Sequence, residues 1–240
     1  MFDFIRKKEI WQALDNAYLT ELENKKISFQ LKTMQDLAVY QMLRDARGAK
    51  IAEIGGGNSR ILKQLAQNNA CFNIERFEGN DNGPAAVVEI PGVTNILCYV
   101  GDFDPQLEAE QFDVAFSISV VEHIVDDRLD AFHRDLMRIL KPGGMFIHAI
   151  DIYVEDEPSD YFQQRFSAYR TWVEDGDTVE PLGELYAGPL KFSCSMASNP
   201  DNTMHAWGTI SPKLIDLRTE AQNVSILVAG RKKPASNGRG

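Results

Sequence analysis

A chain of 240 residues holds one sizeable α/β domain with additions, or two small domains at most. With 44% hydrophobic and 25% charged residues it reads as soluble and globular, and no apolar run approaches the roughly 20 residues that span a bilayer. The net charge of −10 repels phosphate backbones, which sets nucleic acid aside as a partner. Cys71, Cys98 and Cys194 show no CxxC spacing and read as buried thiols in a reducing compartment. The charged, aromatic start lacks a signal-peptide core, so the expected location is the cytoplasm.

In chain order, residues 1–48 read as a helical extension or lid. Phe2, Ile5, Ile10, Trp11, Leu14, Tyr18 and Leu22 fall near a 3.6-residue period, and Met34, Leu37, Ala38, Met42 and Leu43 repeat it before Gly48. Lys50–Ile54 is then a short buried strand running into glycines, followed by a helix over 60–68. Cys71–Glu75 reads as a second strand, Ile96–Val100 as a third and Phe112–Ile118 as a fourth. A helix carrying Leu129, Phe132, Leu136 and Ile139 ends at Lys141-Pro-Gly-Gly144, and Met145–Ile152 is a fifth strand. Strands alternating with helices at this spacing imply βαβ units, a mostly parallel sheet and helices on both faces.

Beyond Asp151 the pattern is less regular. An insert over about 153–205 carries the aromatic stripe Tyr161, Phe162, Phe166, Tyr169 and Trp172, which is either a pocket wall or the buried side of a helix. Phe192–Ala197 and Leu214–Arg218 compete as the sixth strand, and Val224–Gly230 is the last. The main domain is thus expected over 49–230, with a disordered polar tail over 231–240.

Ligands of such sheets bind at the carboxyl ends of the strands. The first strand leads into Gly55, Gly56 and Gly57, where the backbone can turn sharply and a ligand can approach without meeting a Cβ. Arg60 stands where the dinucleotide pattern Gly-x-Gly-x-x-Gly needs its third glycine, which argues against a nicotinamide or flavin dinucleotide. Glu53 would repel a pyrophosphate but could hold an ammonium group, although acids at strand ends also occur for structural reasons. Glu75, at the end of the second strand, is placed to accept from ribose hydroxyls, with Glu78 as its rival. Asp102 could accept from an adenine amine while Phe103 offers an apolar face. The alternative for this pair is a plain turn-forming Gly-Asp.

Ile51–Ser59 resembles the first motif of the Rossmann-like S-adenosylmethionine-dependent methyltransferases. Phe112–Ile124 and Arg138–Gly144 resemble the fourth- and fifth-strand signatures of the same family, in its small-molecule branch. The resemblance covers roughly Ala49 to Ile152, and its specificity lies in the order and spacing of the motifs together. It implies a doubly wound, seven-stranded sheet that takes S-adenosylmethionine and releases S-adenosylhomocysteine. It assigns the cofactor to Gly55–Gly57, Ser59, Glu75 and Asp102, with Ser117 and Ser119 lining the methionine side. Ser59 replaces a glycine found in many members, and a small hydroxyl fits there.

Methyl transfer needs a positioned nucleophile and excluded water more than it needs a catalytic group. A base helps when the acceptor is a hydroxyl or a protonated amine, and His123 is the candidate. The competing reading makes the Glu122-His123 pair a helix cap. Glu122 could join a metal site, as in some relatives, but no second ligand is visible and no metal is expected. His148 reads as an interior residue, and His205 beside Trp207 as a weaker candidate to face substrate. The expected function is O- or N-methylation of a small-molecule acceptor, with homodimerisation left open. Alternatives are an aminopropyltransferase using decarboxylated S-adenosylmethionine, and a non-catalytic partner-binding subunit.

Overall fold

The computed structural model of the protein describes residues 1–5, 22, 31–79, 83–154, 159–188, 190 and 222–234. The elements in chain order are β1 (Phe2–Phe4), α1 (Leu31–Leu43), β2 (Lys50–Ile54), α2 (Arg60–Leu65), β3 (Ala70–Ile74), β4 (Val93–Ile96) and β5 (Phe112–Ile118). After a 3-10 turn at Val121–His123 come α3 (Asp126–Ile139), β6 (Leu140–Val154), α4 (Asp160–Glu174), β7 (Val179–Pro181) and β8 (Gln222–Lys232).

They build one sheet in the order β1-β8-β6-β5-β2-β3-β4, with β7 also paired to β8. The central strands β4, β3, β2, β5 and β6 are parallel, while β8 runs antiparallel to β6, β1 and β7. The central parallel strands β2 and β5 are dominated by Ile, Val, Ala and Phe because both of their faces are covered. Val114, Phe116 and Ile118 face α1 and α2, together with Ile147 and Ala149. Ala115, Phe146 and Ile150 face α3 and α4, where Phe132, Leu136, Phe166 and Trp172 complete the other core. Among the described residues no helix is long and apolar enough to cross a membrane.

The sheet departs from expectation in three places. Phe2–Phe4 is a strand, not the start of a helix, and its register Phe2↔Val228 places it on the outer side of β8. With β7 beside it, the described residues form eight strands where seven were expected. Helical periodicity could not reveal this, because a three-residue strand with both phenylalanines buried satisfies either period. The third parallel strand is Val93–Ile96, so Cys98, Tyr99 and Val100 belong to the loop beyond it. Arg231 and Lys232 continue β8 past the expected boundary at 230. The helical stretch around Ile10–Tyr18, both sixth-strand candidates, Cys194, His205 and the tail beyond 234 lie outside the described residues.

Candidate active site

The carboxyl ends of β2, β3 and β5 open onto a cavity of about 430 Å³. Gly55, Glu75, Tyr99, Ser119, His123 and Arg128 are among the residues that line it. Its floor at Gly55 admits no side chain. The backbone there is left-handed at φ +67°, and a Cβ would fall 2.6 Å from Val120 Cγ2. The turn is fastened from below by Asn73, whose Oδ1 accepts from Gly56 N at 3.2 Å and whose Nδ2 donates to the Gly57 carbonyl at 3.0 Å. Ser59 caps α2, accepting from Leu62 N at 3.0 Å, and also hydrogen-bonds Glu53.

Glu53 lies buried beneath the turn, behind the cavity wall. Burial pushes its carboxyl up to about 7, against the opposing pull of the Ser59 hydrogen bond and the charge of Lys32. Its Oε2 finds no hydrogen-bond partner among the described residues. A buried carboxylate oxygen left open in this way suits a cationic group at the turn. Glu75 follows β3 directly and lines the cavity, with Oε1 accepting from Phe77 N at 3.1 Å.

Like Glu53, Gly56, Gly57 and Ser59, the expected site residues Asp102, Phe103 and Ser117 do not line the cavity. Asp102 turns outward and pairs with Arg128, and Phe103 lies with the guanidinium groups of Arg134 and Arg138 at 5.8 and 5.9 Å from its ring centre. The cause is Asp135, fully buried in α3, whose Oδ2 accepts from Gly101 N at 2.7 Å and Phe103 N at 3.2 Å. This pins the loop so that Tyr99 and Val100, not Asp102 and Phe103, border the cavity. Ser117 is fully buried and shares a hydrogen bond of 2.7 Å with His148 Nδ1 in the core. Burial drives the His148 imidazole down to about 3, so it is a neutral interior residue. Ser119 does reach the site, because its own left-handed backbone (φ +52°) breaks the strand alternation it would otherwise share with Ser117.

A second cavity of about 310 Å³ adjoins the turn after β5, walled by Glu122, His123, Asp151, Ile152, Tyr161, Phe162, Arg165 and Tyr169. His123 lines both cavities. Asp151 sits on β6 beyond the end of β5, and its Oδ1 accepts from Gln35 and, at 3.2 Å, from the Ser119 hydroxyl. Gln35 in turn accepts from Ser119 at 2.8 Å and donates to Ser225 Oγ at 2.9 Å, which ties α1 and β8 to the site. The Glu122 carboxyl is shut off from solvent, and neither oxygen makes a hydrogen bond among the described residues. Burial first, and then the neighbouring Asp151 charge, raise it well above the usual carboxylate range.

Asn73, Asp135, Asp151 and Gln35 are the structural residues that the sequence reading passes over. Two of them carried a signal. Asn73 interrupts the apolar run of β3, and Asp135 falls three residues after Phe132 on the core side of α3.

Residues 52–148 match a protein family described as a methyltransferase domain. No curated protein sequence matches the chain. Among solved structures, a geranyl diphosphate methyltransferase in complex with geranyl diphosphate and sinefungin aligns with a TM-score of 0.55 at 13% identity, covering 83% of this chain and 78% of that one. The Haemonchus contortus phosphoethanolamine N-methyltransferase 2, bound to phosphomonomethylethanolamine and S-adenosylhomocysteine, aligns with a TM-score of 0.52 at 16% identity. That alignment covers 91% of this chain and 57% of the longer enzyme. A Listeria monocytogenes protein described as an S-adenosylmethionine-dependent methyltransferase aligns with a TM-score of 0.50 at 12% identity, over 85% of this chain and all of that one. At such identities the shared property is the fold.

Proposed function

We propose that the chain, whose residues 52–148 match a methyltransferase domain, is a Rossmann-like, S-adenosylmethionine-dependent methyltransferase that methylates a small-molecule acceptor bound in the second cavity. The observation that carries this reading is His123, a single side chain walling both a nucleoside-sized cavity on the glycine turn and a smaller cavity beside it. Donor and acceptor in adjoining chambers is the arrangement that an in-line displacement requires.

In this reading the larger cavity takes the cofactor, which supplies an electrophilic sulfonium methyl. The buried, unpartnered Oε2 of Glu53 beneath the glycine turn is the acceptor assigned to its ammonium group, and Gly55 leaves the turn without a side chain. Glu75 accepts from the ribose hydroxyls, and Tyr99 and Val100 flank the base. His123 takes a proton from acceptors that carry one. Arg165 and the aromatic side chains of α4 close the acceptor chamber from the far side and keep water out.

Transfer of label from methyl-labelled S-adenosylmethionine, screened across sugars, phenols, amines and carboxylates, tests the function. Label in a small acceptor is the expected outcome, and a purified protein that does not bind the cofactor would sink the proposal.

A further inference from the structure

The acceptor chamber contains two carboxyl groups, and among the described residues no lysine or arginine forms an ion pair with either. Both oxygens of Glu122 are buried, and among the described residues no side chain donates to them; the backbone amides of Glu122 and Asp151 only temper its charge. Asp151 is held in place by Gln35 and Ser119 and is close enough that its charge acts on Glu122. Two buried carboxylates this near are costly unless they share a proton or receive a positive partner.

Neither Arg165 nor Lys32 forms an ion pair with either carboxyl. Arg165, on the wall of the same chamber, spends its guanidinium on the carbonyls of Ile124, Val121 and Glu122 at 2.7, 2.9 and 3.2 Å, and on Asp126 at 2.7 Å. Lys32, whose field reaches both carboxyls, donates its Nζ to the Ile118 carbonyl at 3.2 Å. Aromatic rings of Tyr161, Phe162 and Tyr169 supply the rest of the wall, a surface that suits an organic cation over a hydrated metal ion. Among the described residues no group of three or more His, Cys, Asp or Glu side chains could hold a metal.

We propose that the second cavity binds the methyl acceptor through a protonated amino group held between Glu122 and Asp151, so that the enzyme methylates an amine nitrogen. This rests on the methyltransferase reading given above and names its substrate class. In the reaction the bound ammonium first gives one proton to the His123 imidazole, which frees the nitrogen lone pair. That lone pair forms the new N–C bond to the sulfonium methyl as the C–S bond breaks, and the electron pair of that bond stays on sulfur. The products are a methylated ammonium, held as the substrate was, neutral S-adenosylhomocysteine, and a proton that His123 returns to solvent.

Calorimetric titration of the whole chain at pH 7 tests the assignment without turnover. S-adenosylhomocysteine is added first, and then phenethylamine, 2-phenylethanol or phenylacetate, which share a body and differ in charge. The amine is expected to bind about tenfold or more tighter than the alcohol, with the acid weakest. Glu122→Gln and Asp151→Asn should each erase most of that preference while leaving S-adenosylhomocysteine affinity within about twofold. Equal binding of amine and alcohol, preference for the acid, or displacement of the amine by magnesium chloride at matched ionic strength would overturn the proposal. The wild-type comparison stands even if a variant fails to fold. Absence of S-adenosylhomocysteine binding in the first step defeats the methyltransferase reading itself, whereas its presence without amine preference defeats only the amine assignment.

Discussion

Arg165 Nη2 donates to the carbonyl oxygen of Val121 at 2.9 Å, linking the fourth helix to the turn that carries Glu122 and His123. The same guanidinium reaches the carbonyls of Glu122 and Ile124, so one side chain donates to three backbone acceptors of this short 3-10 segment and its C-cap. A helix outside the matched domain thus shapes the residues at the junction of the two cavities.

Arg165→Met should therefore lower unfolding free energy by about 2–4 kcal/mol, since buried carbonyls lose a charged donor. Arg165→Lys should recover less than half of this, because an ammonium cannot span the same acceptors. Urea unfolding measures both, and a loss below about 1 kcal/mol for the Met variant would show that the clamp is not stabilising.

Gly55→Ala puts a methyl group against Val120 at a left-handed position. The expected loss is about 2–4 kcal/mol of stability, with cofactor affinity falling more than tenfold. Adding Val120→Ala removes the collision but not the strained backbone, so the double variant should recover part of the loss. A single variant that binds cofactor normally would contradict the close approach.

Glu75→Ala should weaken S-adenosylmethionine binding by about 1–3 kcal/mol, the cost of leaving ligand hydroxyls without an acceptor. Calorimetry at fixed pH reads this directly. Unchanged affinity would remove the ribose assignment.

Glu53 sets a pH dependence whose sign is fixed by its burial. Its carboxyl titrates near 4.5 when exposed and at about 7 in the fold, so the folded chain keeps a proton that the unfolded chain releases between these values. Stability from this group is complete below pH 4.5 and is lost as the pH rises through 7. Without cofactor, Glu53→Gln should match the parent near pH 4.5 and exceed its stability by up to about 3 kcal/mol at pH 8. The same variant should bind S-adenosylmethionine less tightly. His133 and His148, driven down by burial to about 4 and about 3, act in the opposite sense below pH 6.5 but are common to both proteins. Unfolding curves at pH 5 and 8 decide the matter: a constant difference between the two proteins would refute it.

The parallel core was legible because its strands are buried on both faces. Ile51–Ile54, Val114–Ile118 and Phe146–Ile150 are apolar runs that only a covered sheet explains, and the glycines after Ile54 announce where the chain turns. The edge was not legible, since Phe2 and Phe4 pair with a strand more than two hundred residues away, as the register Phe2↔Val228 shows. Gly55, Glu75 and Ser119 border the cavity because each directly follows a strand, which the sequence shows. Asp102 stands away from it, its direction set by Asp135 thirty-odd residues later. Ser117 stands away as well, where strand alternation turns the hydroxyl toward His148. Glu122 was visible as a carboxylate, but its isolation with Asp151 depends on burial, which sequence does not state.

The position of the eighth strand bears on the order in which the molecule can be completed. It follows every other described strand in the chain, yet lies between the sixth strand and the N-terminal one. During synthesis, the four strands around the glycine turn can assemble while the long sixth strand still waits with one edge bare. Asp151 stands on that waiting edge, opposite Ser225. The half that carries the glycine turn and the larger cavity can thus take shape on a growing chain, and the half that carries Asp151 closes only when residues 222–232 arrive.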